Sequence, residues 1–114
     1  MFHLKKRLDD GTSILKRGSI DAMQRIQTHE SPTDGYGLGW RISEDHLGFR
    51  HVSHTGGMPR VTTALSLFPS ERVVVVVLTN AGNPAVVPFA QELAALVMPQ
   101  YGWRLRQAHR SGRE

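Results

Sequence analysis

The chain has 114 residues, a formal net charge of +4 and no cysteine. This length allows one small domain or part of one and is too short for a two-domain enzyme. The absence of cysteine excludes a disulfide scaffold, a thiolate metal site and a cysteine nucleophile. Because no apolar run reaches the roughly 18 residues of a membrane helix and no signal peptide is recognised, we expect no membrane span. The localisation stays open.

The positive charge lies at the two ends of the chain. Residues 1–29 hold six basic and three acidic side chains, residues 101–114 hold four and one, and residues 30–100 hold four and six. Nucleic-acid-binding domains cluster their basic residues on one face or one helix, or combine them with aromatic residues. Because no such motif occurs here, we predict no nucleic-acid partner, and electrostatic binding through the Arg-rich ends stays a weaker alternative.

The N-terminal part of the chain has sequence patterns typical of helices. Leu4 and Leu8 lie four residues apart before Gly11, which predicts the end of a helix with Gly11 as its left-handed stop. Ser19 is the expected N-cap of a second, short helix. The stretch 29–35 is rich in turn-forming residues and is predicted to be a loop.

Strand patterns follow. Apolar residues alternate with glycine over 36–40, which predicts a strand whose glycines allow another segment to approach closely. Tyr36 and Trp40 are expected to be core aromatics of this strand. A second strand is predicted near 49–55.

The next two strands are predicted over 61–68 and 72–79. The short turn Pro69–Glu71 joins them, so they are expected to form an antiparallel hairpin. The five consecutive residues Val73–Val77 expose no polar face. We therefore expect this strand to be covered on both sides and to lie centrally in its sheet.

A final helix is predicted after these strands. Asn83 and Pro84 are a suitable cap and first-turn proline, and Pro99 ends the apolar stripe that follows. Residues 101–114 are expected to be a basic, flexible tail, and residues 1–100 the domain. The predicted fold class is α+β: an antiparallel sheet of about four strands, packed with the C-terminal helix and the N-terminal helical segments.

Two patterns suggest chemistry but are better explained structurally. Ser13 and Lys16 match S-x-x-K, a pattern in which lysine activates a serine nucleophile. The match is short and begins just after a predicted helix stop, which favours a connector. His51 and His54 are three apart, so on a strand they point to opposite faces and cannot share a metal ion. We predict neither a metal site nor a cofactor.

The most informative segment is His54-Thr55-Gly56-Gly57 at the end of the second long strand. Two glycines after polar residues leave the backbone amides unobstructed, as in an oxyanion site or a substrate-binding strand. The same residues are also compatible with a simple glycine turn between two strands, which composition alone favours.

Several segments together resemble the C-terminal part of the serine β-lactamase, penicillin-binding protein and esterase family, and its class C-like branch most closely. The resemblance runs from about Leu4 to Pro99, and the features keep their order and spacing. The features are Tyr36-Gly37-Leu38-Gly39-Trp40, His54-Thr55-Gly56-Gly57, Leu67-Phe68-Pro69, Val75-Val76-Val77-Leu78-Thr79-Asn80 and the closing apolar helix.

The resemblance implies roles for the His-Thr-Gly segment. In that family a helix-opening S-x-x-K, a Tyr-x-Asn or Ser-x-Asn, and a Lys-Thr-Gly or His-Thr-Gly strand converge on the substrate, and only the third is recognised here. His54 would take the position of the motif's cation, Thr55 would contact substrate and Gly56 would permit close approach. The Gly57 amide would be one of two oxyanion donors. Because imidazole is only partly protonated at neutral pH, an ester, amide or peptide substrate is favoured over a β-lactam.

The resemblance therefore implies a fragment of a β-lactamase-related serine hydrolase that works through an acyl-enzyme. We expect it to be inactive alone, because nucleophile and base are missing from these residues. The alternative is a non-catalytic binding or assembly module that complements a partner chain. The expected partners are a small ester, amide, peptide or β-lactam substrate in the parent protein and, through an unpaired sheet edge, a second copy.

Overall fold

The computed structural model describes residues 10–12, 14–82 and 85–112. They form three helices and six strands, which confirms the predicted α+β class. In chain order the elements are α1 (Arg17–Met23), β1 (Thr28–His29), β2 (Asp34–Tyr36), β3 (Arg41–His46), β4 (Phe49–Met58), β5 (Val61–Phe68), β6 (Val73–Thr79), α2 (Val86–Val97) and α3 (Pro99–Arg110).

The six strands form one antiparallel sheet in the order β1-β2-β3-β4-β5-β6. Each strand therefore pairs with its neighbour in the chain, as short hairpin connections require. Gly35 lies opposite Ile42, and Ile42 opposite Val52. The predicted β5–β6 hairpin is confirmed. The sheet has six strands instead of about four, because two short strands form at its β1 end.

Contacts divide the chain into two compact units. One holds residues through His54 together with Ser66–Val74, and the other holds Thr55–Leu65 together with Val75 onward. The main buried apolar side chains of the first unit are Ile20, Trp40, Ile42, Val52, Leu67 and Phe68. Those of the second unit are Ala64, Val75, Val77, Val86, Ala90, Ala94, Met98, Tyr101 and Leu105.

The first helix starts earlier than predicted. Its N-cap is Lys16, so Ser19 lies inside α1 and does not cap it with its side chain. The backbone N–H of Ser19 already donates to the Lys16 carbonyl oxygen at 2.9 Å. Gly11 has φ of +89°, as expected for a left-handed position, while the preceding helical pattern at Leu4 and Leu8 lies outside the described residues.

The predicted strand over 36–40 is wrong in its extent. β2 ends at Tyr36, and a turn closed by a 2.8 Å hydrogen bond from Gly37 N–H to the Trp40 carbonyl oxygen leads to β3. Trp40 is a core residue, but Tyr36 is 41% exposed and is not. The expectation of a close approach is confirmed at Gly37, where an added Cβ would lie 2.3 Å from the Met23 carbonyl oxygen.

In the sheet that the described residues form, the valine strand lies at the end and not at the centre. Among the described residues β6 has a strand neighbour only on its β5 side. Val75 and Val77 are buried, whereas Val76 and Leu78 are 54% and 76% exposed. An uninterrupted apolar run therefore does not mean burial on both faces here.

Two helices pack against each other at the C-terminal end of the described chain. α2 carries the predicted apolar stripe, while its expected cap, Asn83 and Pro84, lies outside the described residues. α3 begins at Pro99 and covers part of a segment, 101–114, for which no helix was predicted. No helix in the described ranges is both long and apolar enough to cross a membrane.

Candidate functional site

The four residues His54–Gly57 lie in the C-terminal half of β4. His54, Thr55 and Gly57 are exposed, and Gly56 is half-buried. Val52, two residues before His54, is fully buried and anchors the strand. The segment is thus held by a core position at one end and is exposed at three of its four residues.

The two glycines differ in how much space surrounds them. A Cβ added at Gly57 would meet no neighbour closer than the Thr62 methyl group, at 4.0 Å. A Cβ added at Gly56 would lie 2.8 Å from the Thr63 hydroxyl oxygen on β5. The space on the side-chain side of Gly57 is therefore open, whereas at Gly56 it is occupied by the Thr63 hydroxyl, which the sequence analysis did not predict.

Hydroxyl groups stabilise the sheet beside this segment. The Thr62 and Thr79 hydroxyl oxygens are 3.1 Å apart. The Thr62 hydroxyl donates to the Ala81 carbonyl oxygen, and the Thr79 hydroxyl is within hydrogen-bond distance of the same oxygen. These contacts link the start of β5 to the end of β6, and sequence inspection missed them because the two threonines are 17 residues apart.

The hairpin that follows the segment contains a strained residue. Pro59 and Arg60 form the two-residue turn between β4 and β5, and Arg60 has φ of +65°. Proline followed by a left-handed residue is the sequence of a type II turn, in which glycine is preferred at the second position. Arg60 is therefore held in a backbone conformation that residues other than glycine rarely adopt.

We expect Arg60→Gly to raise the free energy of unfolding by about 0.5–1 kcal/mol, since relief of left-handed strain exceeds glycine's entropic cost. Urea denaturation measures the change. Arg104→Gly is the control, because Arg104 lies within α3 and glycine there costs about 1 kcal/mol. A loss of stability in Arg60→Gly equal to that of the control would contradict the strain argument.

His51 and His54 occupy different environments on β4. The His51 ring lies 5.0 Å from the His46 ring and 4.9 Å from the Phe68 ring, measured between centroids, whereas His54 is exposed. Burial, and secondarily the His46 charge, lowers the pKa of His51 to about 4. Within the described ranges no group of three or more metal-ligating side chains occurs.

The residues considered as nucleophile and base are not brought to β4 by any described contact. Ser13 lies outside the described residues. Lys16 is exposed and has an extended backbone before α1. The roles assigned to His54–Gly57 therefore stay predictions.

Comparison with known proteins identifies a family. The family model described as Beta-lactamase matches residues 1–98, which is most of the chain. Neither the curated proteins nor the solved structures searched give a significant match. The matched range ends just after α2 and includes β4 with its His-Thr-Gly-Gly segment.

Proposed function

The chain belongs to the β-lactamase family, and we propose that it supplies the substrate-binding strand of a serine hydrolase. The observation that carries this proposal is the exposed segment His54–Gly57 on β4, with open space at Gly57. An open backbone amide can approach a reacting carbonyl without a side chain in the way.

The proposed chemistry is acyl transfer on an ester, amide, peptide or β-lactam. The Gly57 N–H donates to the oxyanion of the tetrahedral intermediate, which forms when a serine attacks the substrate carbonyl. The His54 ring and the Thr55 hydroxyl contact the rest of the substrate. Gly56 has no side chain and so permits the substrate to approach the strand closely. The second oxyanion donor and the nucleophile come from residues other than those of β4.

We expect the purified chain to show no turnover of p-nitrophenyl butyrate or nitrocefin. The reason is that no described contact brings a nucleophile or base to β4. Spectrophotometric assays of the chain and of Ser13→Ala measure this. Hydrolysis by the chain that Ser13→Ala abolishes would contradict the proposal, because Ser13 would then be the nucleophile.

A second experiment tests Gly57 as an oxyanion donor. It mixes this chain with a complementing chain of the same family that carries S-x-x-K and Tyr-x-Asn. Hydrolysis by the mixture should survive Gly57→Ala, which fits the open space and keeps the N–H. Gly57→Pro removes the N–H and should lower kcat by roughly 10²–10³-fold. Equal activity of the two variants would exclude Gly57 as an oxyanion donor.

A second candidate function is a non-catalytic module that assembles with a partner chain. It is favoured by β6, which has a strand neighbour on only one side among the described residues. Strand addition at such an edge is a common mode of recognition. Retention of a partner containing the missing motifs by the immobilised chain, without hydrolysis by the complex, would favour this function over the first.

A further inference from the structure

The strand next to the candidate site, β5, carries a threonine that the proposed function does not use. We propose that Thr63 is a specificity-determining residue, whose hydroxyl donates a hydrogen bond to an oxygen in the acyl part of the substrate. This role rests on the proposed function and deepens it, because it names a substrate class: acyl groups with an ether or carbonyl oxygen close to the reacting carbonyl. It is supported by the position of the hydroxyl, its hydrogen bonding and its distance from Gly57.

The Thr63 hydroxyl occupies the space that a side chain at position 56 would take. A Cβ added at Gly56 would lie 2.8 Å from Thr63 Oγ1, closer than Cβ atoms in proteins approach their neighbours. Side chains directly opposite each other on paired antiparallel strands lie on the same face of the sheet. A substrate that lies over Gly56 on this face would therefore meet the Thr63 hydroxyl as well as the backbone of β4.

The hydrogen bonding of Thr63 differs from that of its neighbour on β5. The Thr62 hydroxyl donates to the Ala81 carbonyl oxygen and lies 3.1 Å from the Thr79 hydroxyl. The Thr63 side chain is half-buried, and its hydroxyl makes no hydrogen bond to another described residue. A polar group that is partly removed from water is stabilised by a partner that restores its hydrogen bond. A ligand oxygen over Gly56 would be such a partner.

The hydroxyl is close enough to Gly57 to contact the same substrate molecule. The Cβ position of Gly56 is three bonds from the Gly57 nitrogen, so the 2.8 Å separation puts Thr63 Oγ1 within roughly 7 Å of that nitrogen. An oxyanion bound by the Gly57 N–H lies about 2.9 Å from the nitrogen. The remaining distance is spanned by the carbonyl carbon and one or two further atoms. The acyl side of that carbon stays bound through both steps of an acyl-enzyme mechanism, so a contact there acts in each step.

Two ligands of the same shape test this contact without turnover. Methoxyacetate is butyrate with one methylene replaced by an ether oxygen two bonds from the carboxyl carbon, and the carboxylate stands in for the oxyanion. Titration of the ¹⁵N-labelled chain, followed by the amide shifts of Gly56 and Gly57, gives a Kd for each ligand. The preference for methoxyacetate over butyrate should fall roughly 3–10-fold in Thr63→Val, which removes the hydroxyl and keeps the shape. It should persist in Thr63→Ser, which keeps the hydroxyl.

Thr28→Val is the matched control, because Thr28 is an exposed threonine on β1 and its replacement should leave the preference unchanged. The amide spectra establish that all variants fold. An unchanged preference in Thr63→Val, while both ligands still shift the Gly57 amide, would overturn the role of Thr63 and leave the proposed function standing. If neither ligand shifts the Gly57 amide at up to about 100 mM, the role of Thr63 and the substrate-binding strand both fail.

Hydrolysis by the mixture with the complementing chain gives an independent measurement. The p-nitrophenyl esters of methoxyacetate and butyrate share the leaving group and differ by the same single atom. The ratio of their kcat/KM values should fall roughly 3–10-fold in Thr63→Val and recover in Thr63→Ser. A purely structural effect of Thr63 would lower both kcat/KM values alike and leave their ratio unchanged. An equal loss for the two esters would therefore contradict a contact between Thr63 and the acyl oxygen.

Discussion

Gly37→Ala is expected to lower the free energy of unfolding by about 3 kcal/mol or more. An added Cβ would lie 2.3 Å from the Met23 carbonyl oxygen and 2.8 Å from that of Arg25, so the methyl group would collide with two backbone atoms. The Leu38 N–H donates to the same Met23 oxygen at 2.9 Å. Relief of the collision would therefore break the hydrogen bond that holds this turn against the end of α1.

A matched glycine provides the control for this prediction. An added Cβ at Gly18, inside α1, would meet nothing within 4 Å, so Gly18→Ala should raise stability by about 0.5–1 kcal/mol. Urea unfolding followed by the fluorescence of the buried Trp40 measures both, in a Trp103→Phe background that removes the exposed tryptophan. An unchanged unfolding midpoint for Gly37→Ala would show that the turn can shift without cost.

Elements with strong local signals were predictable from the sequence. The β5–β6 hairpin follows from two apolar β-branched runs around a turn that contains Pro69, and the apolar stripe of α2 follows from its helical spacing. In both cases the residues that decide the structure are neighbours in the chain. Their interactions are therefore visible in the order of the residues.

The incorrect predictions depend on partners that are distant in the chain. Alternation over 36–40 suggested a strand, but a hydrogen bond from Leu38 to Met23 turns the backbone there. The valine run indicated burial on both faces. Whether a strand has a neighbour on its outer side depends on the other segments present, so the same run is compatible with the edge position of β6.

The candidate site was only partly predictable. The motif itself is contiguous, so His54–Gly57 could be selected from order and spacing. The neighbours of the motif could not, because Thr63 approaches Gly56 only through strand pairing. The strained Arg60 was also missed. Proline before a residue other than glycine does not reveal that the second turn residue adopts a left-handed conformation.

The second large prediction concerns the half-buried histidine of β4, His51. We expect the chain to lose stability as the pH falls from about 6.5 to about 4, and His51 to cause a large part of this loss. Burial lowers the pKa of His51 from its ordinary 6.5 to about 4 in the folded chain. In that window the unfolded chain binds a proton that the folded chain excludes, so protonation favours unfolding. Above pH 6.5 both forms are neutral and the effect vanishes.

The neighbouring His46 acts on the His51 ring and must stay unchanged in the comparison. Burial also lowers the pKa of His46, whose ring contacts His51, and the charges of Asp34 and Asp45 partly oppose that shift. Replacing only His51 therefore isolates its own contribution. His51→Phe keeps an aromatic ring next to Phe68, so the contact between the two rings can be retained without a titrating group.

Urea unfolding at pH 7.5 and pH 4.5 measures the effect. The loss of stability between these pH values should be about 2–3 kcal/mol smaller in His51→Phe than in the natural chain. His54→Gln is the matched control, because His54 lies on the same strand but is exposed, and its loss should equal that of the natural chain. If His51→Phe loses as much stability as the control, titrating groups other than His51 cause the acid sensitivity.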